Sequence, residues 1–319
     1  MKILIIRFSS IGDIVLTTPV IRCIKQQFPD AELHYITKPA FYVVLKNNPY
    51  IDKLILLEKP LSLTLKKLKE ENYDYIIDLH NNIRTRLIKF KLGKKSTSFN
   101  KLNLRKWMLV NLKIDIMPEK HIVDRYLDTA AVLGIKNDGK GLDYFLDKEY
   151  SLQDLLPASH QHYTGVVIGA QHFTKRLPPE KLTELCRMIK TPVVLMGGKE
   201  DMEKGEAIAL ASGPHVFNGC GKFPLDQSAF LVKMAQNIIS HDTGLMHIAA
   251  AFNKPVISVW GNTVPQLGMY PYKTARQLFL EVKGLKCRPC SKIGYKKCPL
   301  GHFKCMNEQD FSEVPAFLE

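Results

Sequence analysis

The sequence predicts an α/β protein built from two domains, each with a parallel β-sheet covered by helices. Apolar strand-like runs alternate with helix-period segments along the chain, and this alternation stops near the middle and then starts afresh. The 319 residues are enough for two domains, and the 45% hydrophobic and 24% charged content is that of a globular protein. Broad disorder is therefore excluded.

The first half of the chain predicts four strands and four helices. The strands are expected at residues 2–8, 32–37, 53–57 and 73–79, and the helices at 11–28, 61–71, 81–92 and 121–133. The run Tyr75-Ile76-Ile77 is typical of a parallel strand buried on both faces. The alternation of strands and helices stops at residues 136–162, which contain glycine, proline and charged side chains and are therefore predicted to form a linker.

The second half repeats the pattern. Strands are expected at residues 164–170, 192–196, 237–240 and 255–260, and helices at 179–190 and 243–252. Repeated strand–helix units imply right-handed crossovers and a parallel sheet in each half. We expect a first domain at residues 1–155 and a second at 156–319, two Rossmann-like domains facing a central cleft. Ligands of such folds bind at the carboxyl ends of the strands.

The charge of the chain favours an anionic partner. The net charge is +14, and the basic residues concentrate at 53–113 and 283–304. Nucleic acid, anionic lipid and a phosphorylated substrate all fit such an excess, as does a merely solvated basic surface. No stacking motif, zinc finger or recognition helix indicates nucleic acid. No run is long and apolar enough to span a bilayer, and the N-terminus has no secretory pattern, so we expect a soluble cytoplasmic protein.

The turn after the first strand, from Arg7 to Pro19, is the first candidate site. Gly12 allows a close approach to the backbone, and Asp13 lies at a helix start, which favours its ionised form. Asp13 could take the proton of an incoming hydroxyl as a new bond forms. The alternative is purely structural, because Ser10 and Asp13 fit a capping box.

A second candidate follows the strand at 237–240. In His241-Asp242-Thr243-Gly244, exposed amides at a helix start form an anion site, and Gly244 lets a diphosphate lie against the backbone. The alternative is simple capping by Asp242 or Thr243, with His247 as a core histidine three residues further on.

A third candidate is the loop after the strand at 164–170. Thr174, Lys175 and Arg176 suit phosphate neutralisation, although a solvated basic loop is an equally good interpretation. The turn Gly197-Gly198-Lys199-Glu200 could hold a ribose through the carboxylate.

Taken in order, these segments and Cys298-Pro299-Leu300-Gly301-His302 resemble family-9 glycosyltransferases, the ADP-heptose:lipopolysaccharide heptosyltransferases. The resemblance covers essentially the whole chain. It implies a GT-B fold with an acceptor domain first and a donor domain second, the last helix packing back on the first domain. It also implies inverting transfer of heptose from ADP-heptose to the inner core of lipopolysaccharide, without a catalytic metal.

Carried over by position, the resemblance implies a role for each matching residue. Asp13 corresponds to the general base, within a turn that includes Ser10 and Gly12, and Lys175 to the lysine that balances the diphosphate charge, flanked by Thr174 and Arg176. The donor sugar and phosphates are assigned to Asp242, Thr243, Gly244 and His247, the ribose to Glu200 and the adenine to Phe223. Leu177 replaces the family's usual tryptophan.

A related enzyme with another nucleotide sugar or glycan acceptor is the alternative function, and a non-enzymatic polyanion-binding protein is a more distant one. The basic first domain suits an acceptor at an anionic membrane surface, so peripheral contact at the inner face of the inner membrane is expected.

Four cysteines cluster near the C-terminus at Cys287, Cys290, Cys298 and Cys305. In a cytosolic protein they indicate reduced thiols or a structural zinc rather than disulfides. The spacing is looser than in ordinary zinc ribbons, so both alternatives stay open, with no catalytic part for the metal.

Overall fold

The computed structural model describes residues 1–319 and confirms the α/β class. The chain forms two compact units. The first unit comprises Met1–Lys101 and Lys120–Asp147, and the second comprises Leu102–Glu119 and Lys148–Glu319. Each unit has its own parallel sheet and its own apolar core.

The first unit has a five-stranded parallel sheet in the order β3-β2-β1-β4-β5. Its strands are β1 (Lys2–Ile6), β2 (Glu32–Thr37), β3 (Lys53–Leu56), β4 (Tyr75–Asp78) and β5 (Lys95–Ser98). Its helices are α1 (Ile11–Val15), α2 (Thr18–Gln27), α3 (Tyr42–Leu45), α4 (Leu61–Glu70) and α5 (Ile83–Leu92), and a further helix, α7 (Ile122–Ala130), follows residues 102–119, which belong to the second unit. Short 3-10 helices lie at Pro39–Phe41 and Ala131–Leu133. Ile3, Leu4, Ile5 and Ile6 are fully buried, as expected for a strand covered on both faces.

The second unit has a six-stranded parallel sheet in the order β11-β10-β9-β6-β7-β8. Its strands are β6 (Thr164–Val167), β7 (Val193–Met196), β8 (Val216–Asn218), β9 (Asn237–His241), β10 (Val256–Trp260) and β11 (Gln277–Glu281). Its helices are α6 (Asn103–Trp107), α8 (Leu152–Leu155), α9 (Pro179–Met188), α10 (Met202–Ser212), α11 (Leu225–Met234), α12 (Gly244–Ala251), α13 (Lys304–Asn307) and α14 (Val314–Leu318). A π-helix (Met108–Leu112) continues α6, and 3-10 helices lie at Ala158–His160, Phe173–Lys175, Lys199–Asp201 and Pro265–Leu267.

In both sheets the strand order reverses beside the first strand. In the first unit the reversal lies between β1 and β4, and in the second between β6 and β9. Neighbouring crossovers leave in opposite directions at such a point, so the carboxyl ends of the two strands flank a crevice. The segments that follow these four strands are therefore where a ligand site is expected.

Two sequence-based predictions of secondary structure need correction. The helix expected at 11–28 is two helices, because the hydroxyls of Thr17 and Thr18 bond to the carbonyls of Ile14 and Val15 and Pro19 has no N–H for the ladder. The strands β5, β8 and β11 were not predicted. The residues of β5 are mostly polar and exposed, and its pairing with β4 alone defines it.

The predicted linker is anchored at its start. Buried Arg22 on α2 donates from Nε to Asp138 at 2.7 Å and from Nη2 to the Gly141 carbonyl at 2.8 Å, and it also pairs with Asp143. This part of the segment, up to Asp147, therefore belongs to the first unit.

One segment departs from the expected domain plan. Residues 102–119 belong to the second unit, where Leu109 packs against Val264 and Leu267. In the last helix, α14, Val314 and Phe317 pack in the core of the second unit, and the expected packing of this helix on the first domain stays a prediction. None of the helices combines enough length with enough apolar composition to cross a lipid bilayer.

Candidate active site

The turn after β1 holds Asp13 in the first turn of α1. Asp13 Oδ2 accepts hydrogen bonds from the Ser10 amide at 3.2 Å and the Ser10 hydroxyl at 2.9 Å. The capping box considered from the sequence is therefore present. The other oxygen, Oδ1, lies 2.8 Å from Arg7 Nη2, and the side chain is 22% exposed. The carboxylate is thus oriented through both oxygens and still reaches solvent.

Arg7 fixes this carboxylate from within the unit. It is buried, and its Nη1 donates to the Leu79 carbonyl at 2.7 Å and to the Tyr126 hydroxyl at 3.0 Å. Burial opposes its charge, but Tyr126 and Asp13 outweigh burial and raise the pKa of Arg7 above its usual value. Arg7 therefore remains a cation beside Asp13.

His80 is a member of this site that the sequence did not single out. It follows β4, the strand next to β1, and its ring centroid lies 5.0 Å from that of Phe8. Burial, followed by the nearby Arg7, lowers the pKa of His80 to about 4. His80 is consequently a neutral imidazole at physiological pH. Only the strand order brings it to Asp13, so no sequence spacing could have identified it.

In the second unit, the loops after β6 and β9 meet through an ion pair. Lys175 Nζ lies 2.5 Å from Asp242 Oδ2, and these side chains are 15% and 9% exposed. Thr263 adds a hydroxyl donor to the same oxygen at 3.3 Å. The structure therefore brings the second and third candidate segments together.

The second cation of the basic loop is also paired. Arg176 Nη1 lies 3.3 Å from Asp201 Oδ1, and Arg176 Nε donates to the Ala170 carbonyl at 2.6 Å. Asp201 is buried, and it caps its own turn by accepting from the Gly198 amide at 3.1 Å. A side chain at Gly169 would meet Asp201, since an added Cβ would lie 2.3 Å from Asp201 Oδ2. The alternative of a solvated basic loop is wrong.

The start of α12 has amides without a side-chain cap. Thr243 is the N-cap residue in an extended conformation, but its side chain makes no capping hydrogen bond and its hydroxyl lies 3.2 Å from that of Ser240. Asp242, the other predicted cap, is bound to Lys175. The first amides of α12, beginning at Gly244, thus keep the anion-binding capacity of a helix start.

His241 connects the end of β9 to the basic loop. Its side chain is 1% exposed, and Nε2 accepts from the Leu177 amide at 3.0 Å. Burial, followed by the nearby Lys204, lowers the pKa of His241 to about 3. The neutral ring therefore holds the backbone two residues from Lys175.

The family model described as "Glycosyltransferase family 9 (heptosyltransferase)" matches residues 63–300. The chain belongs to glycosyltransferase family 9. A lipopolysaccharide heptosyltransferase 1 of Campylobacter coli is 30% identical over 289 residues, which cover 82% of this chain and 84% of that protein. A lipopolysaccharide heptosyltransferase 2 of Escherichia coli K12 is 26% identical over 292 residues, which cover 83% of this chain and 84% of that protein.

Solved structures share the fold of this glycosyltransferase. A family-9 glycosyltransferase from Veillonella parvula gives a TM-score of 0.78 at 20% identity, covering 99% of this chain and 97% of that chain. The ADP-heptose lipopolysaccharide heptosyltransferase II of E. coli gives 0.71 at 22% identity, covering 100% and 98%. The GT-B fold inferred from the resemblance is therefore confirmed.

The remaining predicted residues of the glycosyltransferase have different environments. Thr174 is buried, and its hydroxyl accepts from the Tyr295 amide at 2.8 Å, so it fixes the loop. Glu200 is exposed and its carboxylate folds over Gly198. Phe223 is half-buried after β8, with its ring against Gly219, and His247 is buried within α12. The buried carboxylate near Glu200, which sequence reasoning missed, is Asp201.

The four C-terminal cysteines are neighbours without a shared centre. Burial raises the pKa of the Cys290 thiol, and burial raises that of Cys305 to about 12, with the other cysteines of the cluster adding to both shifts. Cys287 Sγ lies 4.0 Å from His302 Nε2. The cysteines do not form a group whose ligand atoms all lie within 4.8 Å of one another, a spacing that Glu32, His34 and Glu71 do satisfy. The cysteine geometry here does not fit a tetrahedral zinc site.

The group of Glu32, His34 and Glu71 is an ion-pair cluster at the opposite, amino ends of β1 and β2. Lys2 Nζ lies 3.1 Å from Glu32 and 3.0 Å from Glu71. Hydrogen bonds from Lys53, followed by Lys2, lower the pKa of Glu71 to about 2. Lysine ammonium groups thus already neutralise these carboxylates.

Proposed function

We propose that this glycosyltransferase moves heptose from ADP-heptose to the inner core of lipopolysaccharide with inversion at the anomeric carbon. The observation that carries the proposal is the pairing of Lys175 with Asp242 beside the uncapped start of α12, at the switch point of the second sheet. Curated relatives are lipopolysaccharide heptosyltransferases, and an E. coli heptosyltransferase has been solved with ADP.

The second unit is proposed to hold the donor. A lysine ammonium has three N–H donors, so Lys175 can contact a phosphate oxygen while it remains bound to Asp242. Asp242 then accepts from a hydroxyl of the sugar. The amides at Gly244 face the diphosphate, and negative charge that develops on the departing ADP is met by these groups. In this proposal Glu200 contacts the ribose and Phe223 the adenine, with Ser10 and Gly12 shaping the turn around the base.

The first unit is proposed to hold the acceptor and the base. The acceptor oxygen forms a bond to the anomeric carbon while the bond from that carbon to the diphosphate oxygen breaks. The hydroxyl proton passes to Asp13, and ADP leaves with the electron pair. A sugar hydroxyl is far too weak an acid to lose its proton beforehand, so its proton passes to Asp13, which Arg7 orients, as the new bond forms. No metal is needed, because Lys175 and the helix amides meet the charge of the diphosphate.

The test of the base is Asp13→Asn, which keeps the shape of the side chain and removes its proton affinity. We expect the transfer rate to fall by about 10²–10⁴-fold while the Kd for ADP-heptose changes by less than about twofold. Asp30→Asn, an exposed aspartate of the same unit, is the matched control. Near-normal turnover of Asp13→Asn refutes the assignment.

The donor is tested separately. Purified protein is offered ADP-heptose and a panel of other nucleotide sugars with heptose-free inner-core lipopolysaccharide as acceptor. The proposal requires ADP-heptose to give the highest kcat/KM. A preference for another nucleotide sugar would establish the alternative, a related GT-B enzyme with a different donor.

A further inference from the structure

Helix α5 has two apolar faces. Taking about 100° per residue, the core-facing side chains Thr85, Ile88 and Leu92 lie within one stripe of about 60°. Ile83, Leu87 and Phe90 lie in a second stripe on the opposite face, and they are 86%, 41% and 79% exposed. Isolated exposed apolar side chains are ordinary, but a row at i, i+4 and i+7 with no protein against it indicates a partner.

The charges of α5 indicate which partner. The helix reads IRTRLIKFKL and contains four basic residues and no acidic one. Lys89 is bound to buried Asp78 at 3.1 Å. Arg84, Arg86 and Lys91 are exposed without an ion-pair partner, and by the helical period they flank the exposed apolar stripe on both sides. An apolar stripe between long basic side chains is the pattern of helices that lie in an anionic bilayer interface.

A second copy of the chain fits this face poorly. A twofold contact places the same surface against itself. Pairing α5 with α5 would bring the three exposed cations of each copy together, in a chain whose net charge is already +14. An anionic lipid surface neutralises the same groups.

We infer that α5 is a membrane-docking helix. Ile83, Leu87 and Phe90 enter the boundary between head groups and acyl chains, while Arg84, Arg86 and Lys91 bind anionic head groups. This inference deepens the proposed function, because the proposed acceptor is carried on a lipid. Its test uses neither donor nor acceptor, so it can fail independently of the proposed reaction.

The test is co-sedimentation of the full chain with lipid vesicles. One set contains equal parts of phosphatidylglycerol and phosphatidylcholine, and the other contains phosphatidylcholine alone. We expect binding to the anionic set that weakens as salt is raised. Failure of the wild-type protein to bind anionic vesicles overturns the inference, even if heptose transfer is established.

Two triple variants locate the contact. The apolar variant is Ile83→Ser, Leu87→Ser and Phe90→Ser, and its control removes three exposed apolar side chains elsewhere through Leu63→Ser, Val132→Ser and Leu210→Ser. We expect the apolar variant to lose at least about tenfold in partition coefficient, and the control to lose less than about twofold. Equal losses in the two overturn the inference.

The basic variant is Arg84→Gln, Arg86→Gln and Lys91→Gln, and its control is Lys59→Gln, Lys66→Gln and Lys69→Gln, three exposed lysines of the same unit. Each cation near an anionic surface contributes about fivefold, so we expect a loss of roughly a hundredfold with α5 and a smaller one with the control. All six positions are exposed, and circular dichroism checks that the variants are folded. A wild-type dimer that the apolar variant abolishes would assign the face to self-association and overturn the inference.

Discussion

Lowering the pH should reduce the stability of the second unit through protonation of His241. The Leu177 N–H donates to Nε2, so that nitrogen carries a lone pair in the folded protein, and protonation breaks the bond that holds the basic loop. The pKa of His241 is lowered to about 3. In the unfolded chain a histidine has a pKa of about 6.5. Between these values the unfolded state binds more protons, so stability falls as the pH is lowered.

The size of this effect follows from the two pKa values. Linkage gives a loss of about 2 kcal/mol in the free energy of unfolding between pH 7 and pH 5 from this residue alone. The effect is absent above about pH 7, where the ring is neutral in both states.

The assay is urea unfolding followed by tryptophan fluorescence. Both tryptophans of the chain, Trp107 and Trp260, belong to the second unit, so the signal reports that unit. His80, whose pKa is also lowered, lies in the first unit. His241→Gln keeps an acceptor for Leu177 and does not titrate.

We expect His241→Gln to lose about 2 kcal/mol less than the wild-type protein between pH 7 and pH 5. His162→Gln, at an exposed histidine of the same unit, should follow the wild-type curve. Identical pH dependence in His241→Gln and the wild-type protein would show that His241 does not cause the loss of stability in acid.

Three further outcomes are expected. Lys175→Met should raise the Kd for ADP-heptose by about ten- to hundredfold in calorimetry, since a charge-assisted contact is lost, whereas Lys190→Met, at an exposed lysine of the same unit, should not. An unchanged Kd for Lys175→Met counts against its role at the diphosphate. Gly169→Ala should lower the stability of the second unit by about 1–3 kcal/mol in the same urea assay, because the new Cβ meets Asp201 Oδ2 at 2.3 Å. If Gly169→Ala unfolds at the same urea concentration as the wild-type protein, the Asp201 carboxylate moves aside without cost. Dialysis against a chelator should leave the transfer rate within about twofold, and metal analysis should find less than about half an equivalent of zinc per chain, because the cysteine geometry does not fit a zinc site. Loss of activity with the metal would contradict metal-free transfer.

The fold was predictable where each local pattern agreed with its environment. Fully apolar runs such as Ile3 to Ile6 predicted buried parallel strands, and the structure confirms them. β5 could not be predicted because its residues, Lys95 to Ser98, have no apolar pattern. The excursion at 102–119 was also unpredictable, since the burial of Leu109 depends on Val264 and Leu267, far away in the sequence.

For the site, local sequence specified the residue types and their places after strands: a carboxylate after β1, cations after β6 and a helix start after β9. Which of these groups meet depends on how distant segments pack together. Strand order placed β6 beside β9 and so joined Lys175 to Asp242, and it placed β4 beside β1 and so brought His80 to the Asp13 turn. The same sheet determined that Ile88 is buried and Phe90 is exposed on a helix whose residues are apolar on both faces. Local sequence sets backbone conformation and charge, but pairing between distant segments is set by the packing of the whole sheet, which no single segment encodes.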